Sequence, residues 1–160
     1  MDTTMIEALN KQIQVEFHAA YTYLSFSVAL KAAGYDGMGS WFRKQYAEEC
    51  EHAMQFVHYL EERGAAVTIP AIVPDAPACT EPLAIFETTL AMEKDVTSKI
   101  NDLMTLAVEL KDYASQDMLF GLVREQVEEE STVSGIIDKM KLAGGNSRAL
   151  LHLDDKLGAR

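Results

Sequence analysis

The sequence has little cysteine, little proline and no long apolar run. Cys50 and Cys79 are the only 2 cysteines among 160 residues, and they form no Cys-x-x-Cys motif. This usage argues against a disulfide framework or a zinc scaffold and suits a reducing compartment. No segment approaches about 18 unbroken apolar residues, and residues 1–7 carry neither a basic leader nor an apolar core. We therefore expect no membrane span and a cytoplasmic location; an organellar location after removal of a transit peptide stays open.

Proline is unevenly placed as well as scarce. All 4 prolines lie between residues 70 and 82, which leaves the rest of the chain free to be helical. The proline-rich stretch, at about residues 65–79, is too long for a tight turn and can cross the length of a bundle. We expect one domain over residues 1–160, with helices at about residues 5–33, 37–63, 81–111, 113–143 and 147–156.

The predicted fold class is all-α: an antiparallel four-helix bundle with one long crossover between the second and third helices and a short fifth helix. Thr4 and Glu7 predict a capping box at the first helix, and Thr80 predicts the N-cap of the third. Asn146 or Ser147 is expected to cap the fifth. We expect the crossover to make the third helix antiparallel to the neighbour of the first.

Negative charge dominates the composition. The chain has 25 Asp and Glu residues against 14 Lys and Arg, a net charge of -11 and a pI near 4.7. Such a chain lacks the basic footprint that nucleic-acid binding needs, and it favours cations as ligands. The alternative interpretation is a solvated acidic surface, which composition alone favours.

The apolar seam of each long predicted helix is interrupted near its middle by polar residues. Read at steps of three and four residues, the seams place Glu, His or Gln where a bundle core is normally hydrophobic. Buried, unpaired carboxylates cost several kcal/mol each, so a fold with four of them needs a compensating charge where they meet. In an antiparallel bundle the middles of the helices meet. The interrupting residues are Glu16, Gln45, Glu49, His52, Glu93, Gln126 and Glu129.

The pattern predicts a pair of metal ions. Glu49 and His52 form a Glu-x-x-His pair, which directs a carboxylate and an imidazole from one helix face. Alone, such a pair is usually structural, but here Glu16, Glu93 and Glu129 face it. Oxygen-rich ligation with one imidazole suits iron or manganese better than zinc. We expect two divalent metals about 3.5 to 4 Å apart, bridged by Glu49, and two-electron oxidation of Fe(II) by O2 or peroxide.

These motifs resemble those of ferritins of the haem-free prokaryotic type, over essentially the whole chain. That family uses a Glu on the first helix, Glu-x-x-His on the second, a Glu on the third and Gln-x-x-Glu on the fourth. The matching residues here are Glu16, Glu49, His52, Glu93, Gln126 and Glu129. By this resemblance Glu16 and His52 complete the shell of one iron. Glu93 and Glu129 complete the shell of the other, and Glu49 bridges the two.

The resemblance also implies a third iron position and a site tyrosine. Glu48, Glu125 and Glu128 stand where bacterial members of the family hold a third iron, with Glu129 shared. The alternative for these glutamates is a solvated acidic face. Tyr23 matches the family's site tyrosine, which could donate an electron or hydrogen-bond a ligand, and the alternative is a core tyrosine.

Two departures from related families narrow the prediction. Cys50 stands where bacterioferritins place a haem-ligating Met, so no haem is expected. Glu128 stands where those proteins have the histidine of a second Glu-x-x-His. The absence of a second Glu-x-x-His motif also argues against diiron oxygenases, ribonucleotide reductase small subunits and rubrerythrins.

The resemblance implies a hollow homo-oligomer of 24 chains that stores ferric mineral. Leu150, Leu153 and Leu157 would be exposed on a monomer and could be buried by four copies around an axis; the alternative is docking of the fifth helix on its own bundle. Asp112 and Asp117 are candidates for lining iron channels.

The predicted function is iron storage and detoxification with ferroxidase activity on Fe(II), using O2 or H2O2. A second hypothesis is a diiron enzyme that scavenges peroxide or O2 and stores little iron. A third is a passive helical interaction bundle, in which replacing the buried carboxylates only stabilises the fold.

Overall fold

A computed structural model describes residues 1–159 and contains five α-helices. They are α1 (Thr3–Ala32), α2 (Asp36–Glu62), α3 (Pro82–Glu109), α4 (Tyr113–Ala143) and α5 (Ser147–Gly158). The four long helices form an antiparallel bundle, α5 packs at one end, and no β-strand occurs in the described part of the chain. The predicted fold class is confirmed. Between residues 1 and 159 no helix is both long and apolar enough to cross a membrane.

Two apolar clusters fill the two ends of the bundle. The upper cluster joins the ends of α1 and α4 to the starts of α2 and α3 and to α5, and the lower cluster joins the opposite ends. Hence α2 and α3 run parallel to each other and antiparallel to α1 and α4. The expectation that the third helix opposes the neighbour of the first is wrong, because α2 is that neighbour. The upper cluster includes Phe26, Trp41, Phe86 and Met140, and the lower cluster includes Met5, Phe56, Leu103 and Leu119.

The crossover, residues 63–81, runs along α1 and carries the chain back to the level where α2 began. The main-chain nitrogen of Thr68 donates to Asn10 Oδ1 at 2.6 Å, near the start of α1. Further along, the main-chain nitrogen of Asp75 donates to Thr22 Oγ1 at 3.0 Å. These bonds give the connection fixed partners over much of the length of α1.

The N-caps of α1 and α3 differ from those predicted. Asp2 caps α1 by accepting a hydrogen bond from the Thr4 nitrogen at 2.8 Å, so Thr4 lies inside the helix. Glu81 rather than Thr80 caps α3, and its carboxylate accepts from the Ala84 nitrogen at 2.7 Å. In both cases the residue that caps the helix is an acidic residue close to the predicted threonine. The negative charge of its carboxylate, which a threonine hydroxyl lacks, also interacts favourably with the helix dipole.

The fifth helix docks on its own bundle, so the predicted exposed apolar face is wrong and the alternative is confirmed. Leu153 and Leu157 are buried in the upper cluster, and Leu150 packs against it. Asn146 caps α5, as expected, by accepting from the nitrogens of residues 148 and 149. The apolar face of α5 therefore contributes no evidence for an oligomer.

Asp154 of α5 caps α2. Its buried carboxylate accepts from the Gly37 nitrogen at 3.0 Å and the Met38 nitrogen at 2.7 Å, two donors that α2 itself cannot satisfy. The approach requires glycine, because a Cβ at Gly37 would lie 1.8 Å from the main-chain oxygen of Asp154. Gly158 also packs closely on Gly37, because a Cβ at Gly158 would lie 2.9 Å from the Cα of Gly37.

Replacing Gly37 by alanine should therefore push α5 off the start of α2. We expect Gly37→Ala to lower the free energy of unfolding by about 1–3 kcal/mol, the usual cost of overpacking. Guanidinium denaturation measures this change.

Gly135→Ala is the matched control, because a Cβ at Gly135 would meet no atom within 4 Å. That variant should gain up to about 1 kcal/mol from improved helix propensity. Equal effects of the two substitutions would contradict the close packing of α5 on Gly37.

Candidate metal centre

Three side chains from α1 and α2 form a compact ligand set between the two apolar clusters. Glu16, Glu49 and His52 each offer one ligand atom, and these atoms all lie within 4.8 Å of one another. Glu16 is 1% exposed and Glu49 is 3% exposed. His52 Nδ1 lies 3.1 Å from Glu49 Oε2, and His52 Nε2 lies 3.3 Å from Glu125 Oε2. Both imidazole nitrogens therefore face carboxylates.

Side chains of α3 and α4 supply the other half of the centre. The buried carboxylate of Glu93 accepts hydrogen bonds from the Tyr23 hydroxyl and from Gln126 Nε2, the latter at 3.3 Å. Gln45 Nε2 donates to Glu129 Oε2 at 3.3 Å and so links α2 to α4. All four helices of the bundle thus contribute polar side chains to one layer.

The structure brings most of the predicted ligands together and leaves two apart. The seam ligands lie in this layer: Glu16, Glu49, His52, Glu93 and Gln126 are buried and Glu129 is half-buried. Of the three glutamates predicted for a third position, Glu125 contacts His52 with a side chain that is 49% exposed. Glu48 and Glu128 are exposed, and no hydrogen bond or ion pair within residues 1–159 joins either one to the centre.

Two polar residues of the centre are not among those predicted. Buried Gln12 donates from Nε2 to Glu16 Oε1 at 2.8 Å. Glu130 Oε1 accepts from Thr97 Oγ1 at 2.6 Å. Gln12 lies off the seam, and the only sequence signal for it is its i, i+4 spacing from Glu16.

Burial and mutual repulsion make the metal-free centre hold protons. Burial, together with the charge of Glu49, raises the pKa of Glu16 from 4.5 to about 8. The same two causes raise the pKa of Glu93 from 4.5 to about 7. Burial lowers the pKa of His52, but the hydrogen bond and charge of Glu49 outweigh it and bring that pKa to about 9. A divalent cation would displace these protons, because ligands bind metal in their deprotonated forms.

Tyr23 remains a hydrogen-bond donor at every ordinary pH. Burial, followed by the charge of Glu93, raises the pKa of the Tyr23 hydroxyl well above its usual 10.0. The hydroxyl therefore keeps its proton and holds the Glu93 carboxylate in place. Of the interpretations made for this tyrosine, the structure shows the hydrogen bond to a candidate ligand, and electron donation stays a prediction.

Comparison with known proteins identifies the family to which the chain belongs. The profile described as Ferritin-like domain matches residues 6–143. The chain belongs to the ferritin family. It is similar to a bacterial non-heme ferritin of Bacteroides fragilis (strain 638R), at 37% identity over 153 residues covering 96% of this chain and 95% of that protein. A probable bacterial non-heme ferritin-like protein of Haemophilus influenzae is 34% identical over 158 residues, covering 99% and 96%.

Solved structures of ferritins resemble this structure over its whole length. An open pore ferritin from the hyperthermophilic archaeon Archaeoglobus fulgidus superposes with a TM-score of 0.97 at 39% identity, covering 100% of this chain and 99% of that one. A humanized archaeal ferritin gives the same TM-score and identity and covers 100% and 97%. Membership of the ferritin family supports iron storage and disfavours the passive interaction bundle.

One candidate channel residue in this ferritin already has other partners. Asp112 caps α4, accepts from the nitrogen and hydroxyl of Ser115, and forms an ion pair with Arg63 at 3.3 Å. Burial raises the pKa of the Asp112 carboxyl, but the bonds from Ser115 and Arg63 outweigh it and lower that pKa overall. Asp112 is thus a structural link between α2 and α4. Asp117 is exposed, and its place in a channel stays a prediction.

The metal-free ferritin should lose stability as the pH rises from about 5 to about 9. The pKa of Glu16 is 4.5 in an unfolded chain and about 8 in the fold, and that of His52 changes from 6.5 to about 9. Between these values the native state binds more protons than the unfolded state, so the free energy of unfolding falls with pH. Guanidinium unfolding midpoints measured across this range test the sign.

Glu16→Gln should flatten the slope over the acidic part of that range, because it removes one of the titrating groups. Glu62→Gln, at an exposed position near the end of α2, should leave the slope unchanged. A metal-free stability that increases with pH would contradict the protonated centre.

Proposed function

We propose that this ferritin oxidises Fe(II) at the centre formed by the four long helices and stores the ferric product. The observation that supports the proposal is a layer of buried carboxyl groups beside an imidazole, in which burial and mutual repulsion raise the pKa values of Glu16 and Glu93. A divalent cation stabilises such a layer, because it replaces the protons and offsets the repulsion between the carboxylates. The proposed iron ligands are Glu16, Glu49, His52, Glu93 and Glu129, with Gln126 beside them.

The two halves of the centre suit two ferrous ions. We assign one ion to Glu16 and His52 and the other to Glu93 and Glu129, with Glu49 between them. His52 must lose its second ring proton and one of its two carboxylate contacts to bind iron, so iron binding releases protons. Gln12 hydrogen-bonds Glu16, and Tyr23 hydrogen-bonds Glu93, which holds each carboxylate in a fixed orientation before the metal arrives.

The oxidation balances with two ferrous ions as substrate. Each Fe(II) loses one electron, and O2 accepts both electrons with two protons to form hydrogen peroxide. With peroxide as oxidant, the O–O bond breaks and two electrons with two protons give two waters. Because both ions are held in one layer, the two electrons can be delivered together, which avoids release of a one-electron oxygen species.

A third iron position is proposed beside the pair. Glu125 already reaches His52, and Glu48 and Glu128 lie on the exposed side of the same two helices, α2 and α4. We infer that these glutamates, with Glu129, hold iron on its way to or from the pair. Glu130, bonded to Thr97, adds one more carboxylate to this region.

We further propose a homo-oligomeric cage of 24 chains in the cytoplasm, with no haem. A net charge of -11 per chain gives 24 × -11 = -264 for such a shell, which attracts ferrous ions to its surfaces and channels. Cys50 is only partly buried, and it offers a thiol where haem-binding relatives use a thioether.

Iron loading tests storage directly. Metal-free protein should be mixed aerobically with excess Fe(II) and separated by size, and iron per chain measured in the protein peak. Storage requires many irons per chain on a large assembly. About two irons per chain on a small species would instead support the peroxide- or O2-scavenging enzyme and contradict the storage cage.

Replacing Glu49 should abolish rapid oxidation, because Glu49 lies between both proposed irons. We expect Glu49→Ala to slow the first oxidation phase by more than the roughly 10–100-fold that follows loss of an outer-shell partner. Stopped-flow absorbance of ferric product measures this phase.

Two further variants serve as comparisons for Glu49→Ala. Glu61→Ala changes an exposed residue of the same helix and should keep the wild-type rate. Glu128→Ala should keep the first phase and alter later turnover, and an unchanged time course would make Glu128 a surface residue. A Glu49→Ala protein that oxidises Fe(II) at the wild-type rate would refute the diiron assignment.

A further inference from the structure

A cavity of about 600 Å³ lies between α1, α3 and the crossover. Its two most deeply buried lining residues are small and apolar: Ala19 is 3% exposed and Val96 is 6% exposed. Val15 and Met92 are half-buried and line it too. We call these four apolar side chains the floor of the cavity; the more exposed part of its lining also carries polar side chains.

The floor of this cavity lies on α1 and α3 at the height of the metal centre. Val15 precedes Glu16 on α1, and Ala19 follows it by one turn. Met92 precedes the other carboxylate, Glu93, on α3, and Val96 follows that residue by one turn in the same way. Because residues three apart share a helix face, Ala19 and Val96 lie one turn from Glu16 and Glu93 on the same side of their helices.

The carboxylates that line the cavity are already paired. His18 Nε2 lies 3.5 Å from Asp75 Oδ2, and Lys99 forms an ion pair with Asp95. A hydrated cation that moved inward past these pairs would have to lose its water against an apolar floor, which is unfavourable. An apolar gas does not meet this cost.

The opposite face of the bundle has the reverse chemistry. Between α2 and α4 the polar contacts are His52 with Glu125 and Gln45 with Glu129, and Glu125 is half-exposed to solvent. Glu48 and Glu128 are exposed on the same helices. Hydrated Fe(II) therefore finds exposed carboxylates on the α2–α4 face, whereas on the α1–α3 face the carboxylates are paired and the floor behind them is apolar.

We propose that the cavity under the crossover binds dioxygen and supplies it to the metal centre, while Fe(II) arrives from the α2–α4 face. The inference rests on the proposed ferroxidase function. It separates the two substrates by polarity, so that each reaches the centre through the side of the bundle that suits it. Hydrogen peroxide, which is polar and hydrogen-bonds to water, is assigned to the α2–α4 face.

Xenon tests occupancy without any reaction. Xenon is an apolar gas that enters apolar cavities in proteins. Crystals of the wild-type protein under xenon pressure should show xenon density against Ala19 and Val96, and crystals of the Ala91→Trp variant should not. Ala91 is an exposed lining residue on α3, so a tryptophan there fills the cavity without replacing a core side chain. Absence of xenon from the wild-type cavity would overturn the proposal.

Kinetics tests delivery. Ala91→Trp should lower kcat/KM for O2 several-fold, mainly through a higher KM, and should leave oxidation by hydrogen peroxide and binding of redox-inert Zn(II) unchanged. Asn101→Trp places the same side chain at an exposed position of α3 outside the cavity and should leave all three quantities unchanged.

The outcomes separate this proposal from the ferroxidase assignment. A wild-type protein that oxidises no Fe(II) with either oxidant would refute the proposed function and this inference with it. Wild-type activity with an unchanged KM for O2 in Ala91→Trp would refute only the cavity. Equal slowing with O2 and peroxide would mean that the tryptophan disturbs the centre itself, and it would also overturn the route.

Discussion

Carboxyl groups that are buried side by side repel one another and lose their hydration, and both effects oppose folding. Glu16, Glu49 and Glu93 are placed in this way, between an upper and a lower apolar cluster. The clusters bury aromatic and aliphatic side chains from all four long helices, and that burial offsets the unfavourable layer between them. Without metal, protons and the imidazolium of His52 reduce the charge. The layer is therefore stable enough to form and remains poised to exchange its protons for cations.

The polar residues around this layer matter as much as the ligands. Gln12 donates a hydrogen bond to Glu16, Gln45 donates one to Glu129, and both Tyr23 and Gln126 donate to Glu93, so the rotation of these three carboxylates is limited. A carboxylate that is oriented before it meets a metal loses less conformational freedom on binding. The exposed side of the centre is at Glu125, whose side chain contacts His52 and is 49% exposed.

The sequence predicts the fold and the centre well because both depend on helix periodicity. A carboxylate on an apolar seam must be buried once the helix packs, and four such positions at similar heights converge whatever the details of packing. Other features depend on contacts between distant residues. The docking of α5 needs Gly37 opposite Asp154, more than a hundred residues apart, and no local pattern predicts that pair. The caps at Asp2 and Glu81 lie beside equally suitable threonines, so local chemistry alone does not choose between them. Gln12 shows the same limit, because a polar residue beside the seam looks like a surface residue until the neighbouring helix covers it.

The cap that Asp154 gives to α2 also orders the assembly of the chain during synthesis. Helix α2, which carries Glu49 and His52, emerges from the ribosome long before α5, and its first main-chain donors then have no partner from within the bundle. Only when residues 147–158 have been made can Leu153 and Leu157 cover the upper cluster and Asp154 satisfy Gly37 and Met38. A nascent chain that ends before α5 keeps an open, water-accessible end beside Trp41. That end of the bundle can therefore close only after the last helix has been translated.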